Sequence, residues 1–344
     1  MKNLKYLFSL FILTSCGNSN SQTEKLGDKE KRKTTHEYEN IVAVFEEVNG
    51  TWNYCYLTKS GKIVGRDSVY FFDNSFDCES EGFIRFRDKE TDKAGMFNRN
   101  GEVAIPAIYN DLTKVRNGMI IGLMGAKKKY WHKDSECNHF IWKGGKEVLI
   151  DTLNNILIDN FTYDNNLNFF TLEITQTTHS DPTRKSFLTK KGTYYSFVEF
   201  EKEFKQWLMN DLLVNLTIEK LIESSYDSIT WWSSDGWTKT DKQQFITNNF
   251  SILQSSLSYL LNSECDFSIS INGLNPFMYV GKAFEKYFTN CGESKEWIYP
   301  VMNIVIYLTD KNKYFTQNQN HYDFLRTDNG YKLISVTIRN ETNE

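Results

Sequence analysis

The chain has 344 residues, of which 40% are hydrophobic and 24% charged, and its formal net charge is −4. This length exceeds what one hydrophobic core usually holds, so we expect two domains. The slightly acidic balance and the lack of a basic stripe argue against a protein that binds nucleic acid.

The first residues have the pattern of a secretory signal peptide, residues 1–15. Lys2 and Lys5 precede an apolar run, residues 6–13, that is too short to span a membrane. The run ends in the sequence LTSC, which resembles a bacterial lipobox and implies a lipid on Cys16. We therefore expect a lipid-anchored protein of the bacterial cell envelope, in the outer membrane and facing the periplasm or the surface. The alternative is an ordinary signal peptide with an incidental cysteine.

Residues 16–39 are expected to connect this lipid to the folded part of the protein. They are rich in Asn, Ser, Gln, Lys, Glu and Gly and poor in large apolar residues. Such a segment cannot offset the entropy of ordering, so it is predicted to be a flexible tether. Its root-mean-square length is about 25 Å.

One stretch in the first half has clear hairpin chemistry. Asn100-Gly101 separates two apolar runs, residues 95–97 and 103–105, and an Asn-Gly pair tolerates the positive φ of a tight turn. The order of residues in this stretch resembles one unit of the WG-repeat family, although Ala94 stands where that family has tryptophan. The residues that carry the resemblance are Gly95, Phe97, Gly101, Val103, Ile105, Pro106, Tyr109, Asp111 and Gly118.

A single repeat unit cannot bury its apolar face, so further copies are expected nearby. Residues 56–64 match residues 96–104, and residues 140–150, which contain Gly144-Gly145, are a candidate third copy. The resemblance implies an all-β repeat domain of WG-repeat-like hairpins over residues 40–192.

The apolar period becomes helical near residue 197, which predicts a second domain over residues 196–344. Its predicted order of helices followed by strands is typical of an α+β domain with helices on an antiparallel sheet. The ending, residues 323–334, resembles cystatin-like or NTF2-like domains and implies a curved sheet whose helices can enclose a pocket. The first predicted helical stretch covers 201–224 and has a break at 215–217. A second helix follows Thr240, and a third covers 280–288. The predicted strands cover 267–271, 304–308 and 331–338.

The chain has six cysteines. With Cys16 assigned to lipid, an odd number remains in an exported protein. Cys265 with Cys291 is the best candidate disulfide, and Cys55 with Cys78 is the next. The alternative is that some of these residues are small buried hydrophobes.

Searches for catalytic, phosphate-binding and dinucleotide-binding motifs find none in the sequence. We therefore predict no cofactor and name no catalytic residue. His132, Asp134, Cys137 and His139 are suitable ligand types, but they lie in a charged loop, and no metal site is predicted there.

Trp231, Trp232 and Trp237 surround a turn in the second domain. They could form an aromatic platform for a sugar ring or for the apolar anchor of a partner. The alternative, which we favour, is that they close the open end of the helix layer, because large aromatic side chains are usually mostly buried.

Two functional classes remain. The first is a binding or scaffold module for a protein or glycan partner, which is favoured because repeat arrays usually bind. The second is a small-molecule receptor or an enzyme that uses a pocket in the α+β domain. Asp227, Asp235 and His321 are the ionisable residues that such a pocket would use.

Overall fold

A computed structural model of the chain describes residues 39–48, 51–72, 75–130, 140–233, 236–263, 265–307 and 319–338. These residues are mostly β-strand, in seven sheets, with three α-helices among them. The chain divides into two compact units, Met1–Tyr163 with Phe187–Tyr194, and Asp164–Ser186 with Tyr195–Glu344. The chain last passes from the first unit to the second between residues 194 and 195, near the predicted domain boundary at 192–196. Residues 164–186, however, which we expected in the first domain, belong to the second unit.

The first unit consists of short strands joined by tight turns. The strands are β1 (Ile41–Val48), β2 (Thr51–Thr58), β3 (Ile63–Val64), β4 (Phe71–Phe72), β5 (Ser75–Phe76), β6 (Phe83–Arg87), β7 (Ala94–Asn98), β8 (Val103–Tyr109), β9 (Asp111–Leu112), β10 (Met119–Met124), β11 (Lys127–Tyr130), β12 (Phe140–Lys143), β13 (Lys146–Asp151) and β14 (Ile156–Asp159). They form sheets of the orders β1-β2-β3, β4-β5, β6-β7-β8, β14-β13-β10-β9 and β11-β12. Neighbouring strands in these sheets are antiparallel.

Within this unit the same five-residue turn occurs four times, at residues 58–62, 98–102, 151–155 and 189–193, and it occurs again at residues 289–293 of the second unit. In each, the first residue donates its N–H to the carbonyl of the fifth, at 2.8 to 3.0 Å, and the fourth donates to the carbonyl of the first. The fourth residue has positive φ in all four turns, which suits Gly or Asn. These residues are Gly61, Gly101, Asn154 and Gly192.

Hydrogen bonds in this unit repeatedly join residues about forty positions apart. The Tyr70 hydroxyl donates to Asp111 Oδ1 at 2.6 Å, across 41 positions. The Tyr109 hydroxyl donates to Asn154 Oδ1 at 2.7 Å, across 45 positions. The Glu81 carboxylate accepts from the N–H groups of residues 117 and 118 at 2.6 and 2.8 Å. Side-chain hydrogen bonds therefore link each turn region to the next one along the chain.

Gly95 shows why glycine is required within β7. A Cβ placed on it would lie 2.6 Å from the Phe86 ring and 2.7 Å from the Ile105 carbonyl oxygen. The rings of Phe86 and Phe97 stack at 4.3 Å beside it, within a core that also contains Ile41, Tyr56, Val69 and Ile84. The backbone of β7 can approach this aromatic layer because it carries no side chain there.

The second unit combines a three-stranded sheet, a six-stranded sheet and the helices. The strands of the smaller sheet are β15 (Leu167–Thr175), β16 (Arg184–Leu188) and β17 (Tyr194–Glu199), in the order β15-β17-β16. The larger sheet contains β18 (Ser225–Ser233), β19 (Gly236–Asp241), β20 (Phe267–Asn272), β21 (Val301–Tyr307), β22 (Gln319–Thr327) and β23 (Gly330–Thr337). Its order is β19-β18-β23-β22-β21-β20, with β18 and β23 parallel and the other pairs antiparallel.

The α-helices are α1 (Phe200–Trp207), continued by a π-helical turn Leu208–Leu212, α2 (Ile218–Glu223) and α3 (Lys242–Ser258). The predicted break at 215–217 thus coincides with the gap before α2. Asp241 caps α3, since its Oδ1 accepts from the N–H groups of Gln243 and Gln244 at 2.9 and 3.1 Å.

A single core fills the space between these helices and one face of the six-stranded sheet. It includes Phe204, Leu208, Ile246 and Leu253 from the helical side and Phe324 from the sheet, all buried. Along each strand the alternate residues point to the opposite face of the sheet. We call that opposite side the open face.

Residues 274–299 cover one end of the open face. Leu274, Tyr279, Phe284 and Tyr287 pack there against Val301 and other sheet residues. The predicted helix over 280–288 is wrong, since only the 3-10 turn Glu285–Tyr287 forms. Gly281 has φ +91 within this segment, which interrupts a helix.

Candidate functional site

Trp232 and Trp237 form an exposed aromatic pair on the β18–β19 hairpin. They are cross-strand partners, with ring centroids 5.3 Å apart and ring planes at 82°. Their exposed fractions are 54% and 52%. Trp231 faces the helices instead, where it packs against the core and donates from Nε1 to Thr240 Oγ1 at 3.0 Å. Trp231 therefore closes the core, as in the interpretation we favoured, whereas the other two indoles face solvent.

A row of polar side chains crosses the sheet on the same face as this pair. Its members are successive strand partners from β19 to β20. Six strands spaced about 4.8 Å apart make the row about 24 Å long. In order across the sheet, this polar row consists of Lys239, Thr230, Ser335, Asp323, Asn303 and Ser270.

The next level of the open face begins at the Trp232–Trp237 pair and continues across the strands. His321 is the strand partner of both Thr337 and Val305. Ser268, the partner of Val305, has its Oγ 3.1 Å from the Tyr307 hydroxyl. Hydroxyl and imidazole groups therefore lie between the tryptophan pair and the far edge of the sheet.

Asp323 is the carboxyl group of the polar row. Its Oδ1 accepts a hydrogen bond from Asn303 Nδ2 at 2.7 Å. Burial raises the pKa of Asp323 above its ordinary value, while the bond from Asn303 and the nearby His321 act in the opposite direction. Its neighbour Ser335 is buried. The carboxyl group is thus partly desolvated and held in one orientation by an amide.

Asp323→Asn is expected to change how stability depends on pH. Because the folded pKa of Asp323 lies above its unfolded value, protonation favours the folded state. This contribution is fully present below the unfolded pKa of about 4 and is lost as the pH rises through the folded pKa. The variant, which keeps the side-chain shape, should therefore gain stability relative to the wild type between about pH 4 and pH 7. Urea unfolding at both pH values measures this difference, and parallel pH dependence in the two proteins would contradict it.

Tyr279 covers part of the polar row. Burial raises the pKa of its hydroxyl to about 12, and the hydroxyl groups of Thr230 and Ser335 interact with it. Lys239 Nζ donates to the Met278 carbonyl at 2.8 Å, at the edge of this cover. Thr230 and Ser335 are buried, whereas solvent reaches Lys239, Asp323, Asn303 and Ser270.

The resemblance to cystatin-like or NTF2-like domains implied a pocket between the helices and the sheet. Buried apolar side chains fill that region instead. A cleft of about 430 Å³ lies instead in the covering segment. Tyr279, Val280, Glu285 and Phe288 are among its lining residues.

The ionisable residues named from the sequence occupy different places. His321 lies on the open face, two residues from Asp323. Asp227 has a 94% exposed side chain that contacts Lys242 at 3.2 Å. Asp235 lies outside the described residues.

Cys16 and the loop with His132, Asp134, Cys137 and His139 also lie outside the part of the chain that the structure describes. Within the described part, no group of three or more His, Cys, Asp or Glu residues is placed to hold a metal ion.

The predicted Cys265–Cys291 disulfide is wrong. Cys265 is a free thiol, whereas Cys291 is disulfide-bonded. Cys265 precedes β20, whereas the segment around Cys291 packs near the other end of that strand, where the Leu274 N–H donates to Ser294 Oγ at 2.8 Å. A strand of six residues spans about 20 Å, far more than the Cα separation of a disulfide.

The second pairing that we considered, Cys55 with Cys78, is also wrong. Cys55 is a buried thiol, whereas Cys78 is disulfide-bonded.

Asn303, Asp323 and Ser335 were not singled out from the sequence. The available signal was local: each is a polar residue at an alternating position within an apolar strand. Their alignment depends on pairings between strands distant in sequence, which a local pattern does not encode.

Comparisons of the chain with protein-family models, with curated proteins and with solved structures give no match. None of the helices in the described residues is both long enough and apolar enough to cross a membrane.

Proposed function

We propose that this protein is a lipid-anchored binding module of the bacterial cell envelope, which holds a protein or glycan partner on the Trp232–Trp237 pair. One observation carries the proposal. Two large indole rings, each about half exposed, contact each other on the sheet face that also carries the oriented pair Asp323–Asn303, two and three strands away. Exposed aromatic clusters of this kind are a common feature of recognition surfaces.

The membrane part of the proposal is supported by the sequence LTSC at residues 13–16 and the short apolar run before it. Cys16 then carries the lipid, and residues 16–39 let the folded units extend from an outer membrane into the periplasm or to the surface.

The proposed scaffold is a WG-repeat-like β-array followed by an α+β domain similar to cystatin-like or NTF2-like domains. The hydrogen bonds between residues about forty positions apart support an array. In repeat proteins each unit contacts its neighbours at the distance of one period, as these residues do.

Binding to isolated envelopes tests the proposed contact site. Purified residues 17–344, which lack the lipid and cannot insert into a membrane through it, should bind saturably to envelopes from cells that lack the protein. Trp232→Ala with Trp237→Ala should weaken this binding about thirtyfold, the loss typical of a hot spot. Tyr259→Ala is the matched control, because this aromatic residue is 41% exposed and follows α3, on the helical side of the sheet. Unchanged affinity in the double variant would reject the tryptophan pair as the contact site.

The anchor has a separate test. Cys16→Ser should move the protein out of the detergent-extracted membrane fraction, and metabolic labelling with a fatty acid should label only the wild type. Equal labelling of the two proteins would contradict lipidation at Cys16.

A further inference from the structure

We infer that the ligand of the open face is a neutral glycan, whose sugar rings stack on the Trp232–Trp237 pair and whose hydroxyl groups bond to Asp323 and Asn303. This inference rests on the proposed function and specifies the ligand class of the same surface.

The tryptophan pair suits a sugar ring. The face of an indole carries negative charge density, and the C–H groups on one side of a pyranose carry partial positive charge. Because the two ring planes cross at 82°, one indole buttresses the other and limits its rotation. A sugar can then stack on a ring that is already oriented, which reduces the entropy lost on binding.

The polar row supplies the groups that recognise hydroxyls. The amide of Asn303 donates to Asp323 at 2.7 Å, which fixes both planar groups. Asp323 remains an acceptor, and Asn303 keeps a second N–H and a carbonyl oxygen. Asp323 and Asn303 lie two and three strands from Trp232, or about 10 and 14 Å across the sheet. Such fixed planar donors and acceptors can bond adjacent hydroxyls of a sugar in the same chain as the one on the indoles.

The charge on this face favours a neutral ligand. Within the polar row, Lys239 and Asp323 are the charged residues, and Lys239 already donates to the Met278 carbonyl. His321, at the next level, is the titratable neighbour. A polyanion or a polycation would require several charges of one sign, which these two levels of the face do not provide.

The same composition disfavours a protein partner. A protein hot spot needs a desolvated apolar pocket around its anchor. On the level of the tryptophan pair the face instead continues into Thr337, His321 and Val305, and the adjacent polar row carries Asp323 and Asn303. A hydroxyl-rich chain lying across the strands would meet these groups in succession over the approximately 24 Å of the row.

Binding to defined polysaccharides tests the inference. The full-length protein in detergent is mixed with insoluble chitin and cellulose, and chitotetraose and cellotetraose are titrated by calorimetry. We expect the wild type to bind at least one of these probes. Trp232→Ala with Trp237→Ala should weaken that binding about thirtyfold, and Asn303→Ala about tenfold.

Asp227→Asn and Tyr259→Ala are the controls, because both residues are exposed and lie away from the two levels of the open face, Tyr259 following α3 on the helical side of the sheet. Their affinities should stay within about twofold of the wild type. Circular dichroism of every variant establishes that the fold is kept.

Two results would overturn the glycan assignment: no binding of any probe by the wild type, or wild-type affinity in Asn303→Ala. The envelope assay separates this outcome from failure of the proposed function. If the double tryptophan variant still loses envelope binding, the surface holds a partner other than a neutral glycan and only the glycan inference fails. If that variant keeps envelope binding as well, the proposed function fails too.

Discussion

Asp77→Ala is expected to destabilise the first unit by about 3 to 5 kcal/mol, the loss measured when one member of a buried ion pair is removed. The Asp77 side chain is 1% exposed and the Arg85 side chain 12%. Asp77 accepts from Arg85 Nε at 3.0 Å and from Nη2 at 2.6 Å. Burial opposes the charge of Arg85, yet Asp77 raises the Arg85 pKa above its ordinary value. Without Asp77 the Arg85 guanidinium stays charged and loses its bonds to that carboxylate. Its Nη1 keeps the bond to the Leu112 carbonyl at 2.8 Å.

Hydrogen exchange measured by mass spectrometry checks this prediction strand by strand. Peptides from β6 and β7 should lose protection in Asp77→Ala, while peptides from β21–β23 serve as the internal reference. Asp159→Ala is the matched control, since it removes an equally short pair, with Lys146 Nζ at 2.6 Å, that lies at the surface. If both variants leave β6 equally protected, the Asp77–Arg85 pair has no stabilising role.

The hairpins show how far local chemistry predicts this fold. The turns with Gly61 and Gly101 were recognised because glycine marks positive φ. The next turn was missed, because Asn154 takes the glycine position, and Gly144-Gly145 was chosen for the third copy instead. Gly192, at the predicted end of the β-repeat domain, lies in a turn with the same hydrogen bonds as the others. A Gly or Asn in the sequence therefore predicts where a hairpin turns. Whether two such turns share the same hydrogen bonds is not specified by side-chain type alone.

The candidate site was predicted only in part, for a similar reason. The sequence indicated three tryptophans around one turn, but we expected them to close the helix layer rather than to lie on a hairpin of the sheet. Strand β18 joins β23 in parallel, about a hundred positions further on. That pairing decides which tryptophan faces the core and which polar residues align with Trp232. Partner choice over such a distance depends on the packing of the whole sheet, so periodicity within one strand does not reveal it.

Arg326→Ala should have the second largest effect, about 2 to 3 kcal/mol, in the second unit. Arg326 Nε donates to Glu203 Oε2 at 2.8 Å and Nη2 to Oε1 at 3.2 Å, so the pair joins α1 to β22 through two bonds. The Tyr331 hydroxyl adds a third bond to Glu203, at 2.6 Å. Burial acts to lower the Arg326 pKa, but Glu203 raises it above its ordinary value. The loss should be smaller than for Asp77, because the Arg326 and Glu203 side chains are 20% and 30% exposed.

A double-mutant cycle with Tyr331→Phe distinguishes a shared network from independent bonds. Both residues act on the Glu203 carboxylate, so their effects on the unfolding free energy should differ from additivity by at least about 0.5 kcal/mol. Protection of α1 peptides in hydrogen exchange should fall in Arg326→Ala and less in Tyr331→Phe, which removes only a hydroxyl. Strict additivity, with α1 fully protected in both single variants, would mean that apolar packing of Phe200 and Phe204 alone holds α1 on the sheet. The expected coupling would instead make Glu203 the residue through which two neighbouring strands, β22 and β23, orient the first helix.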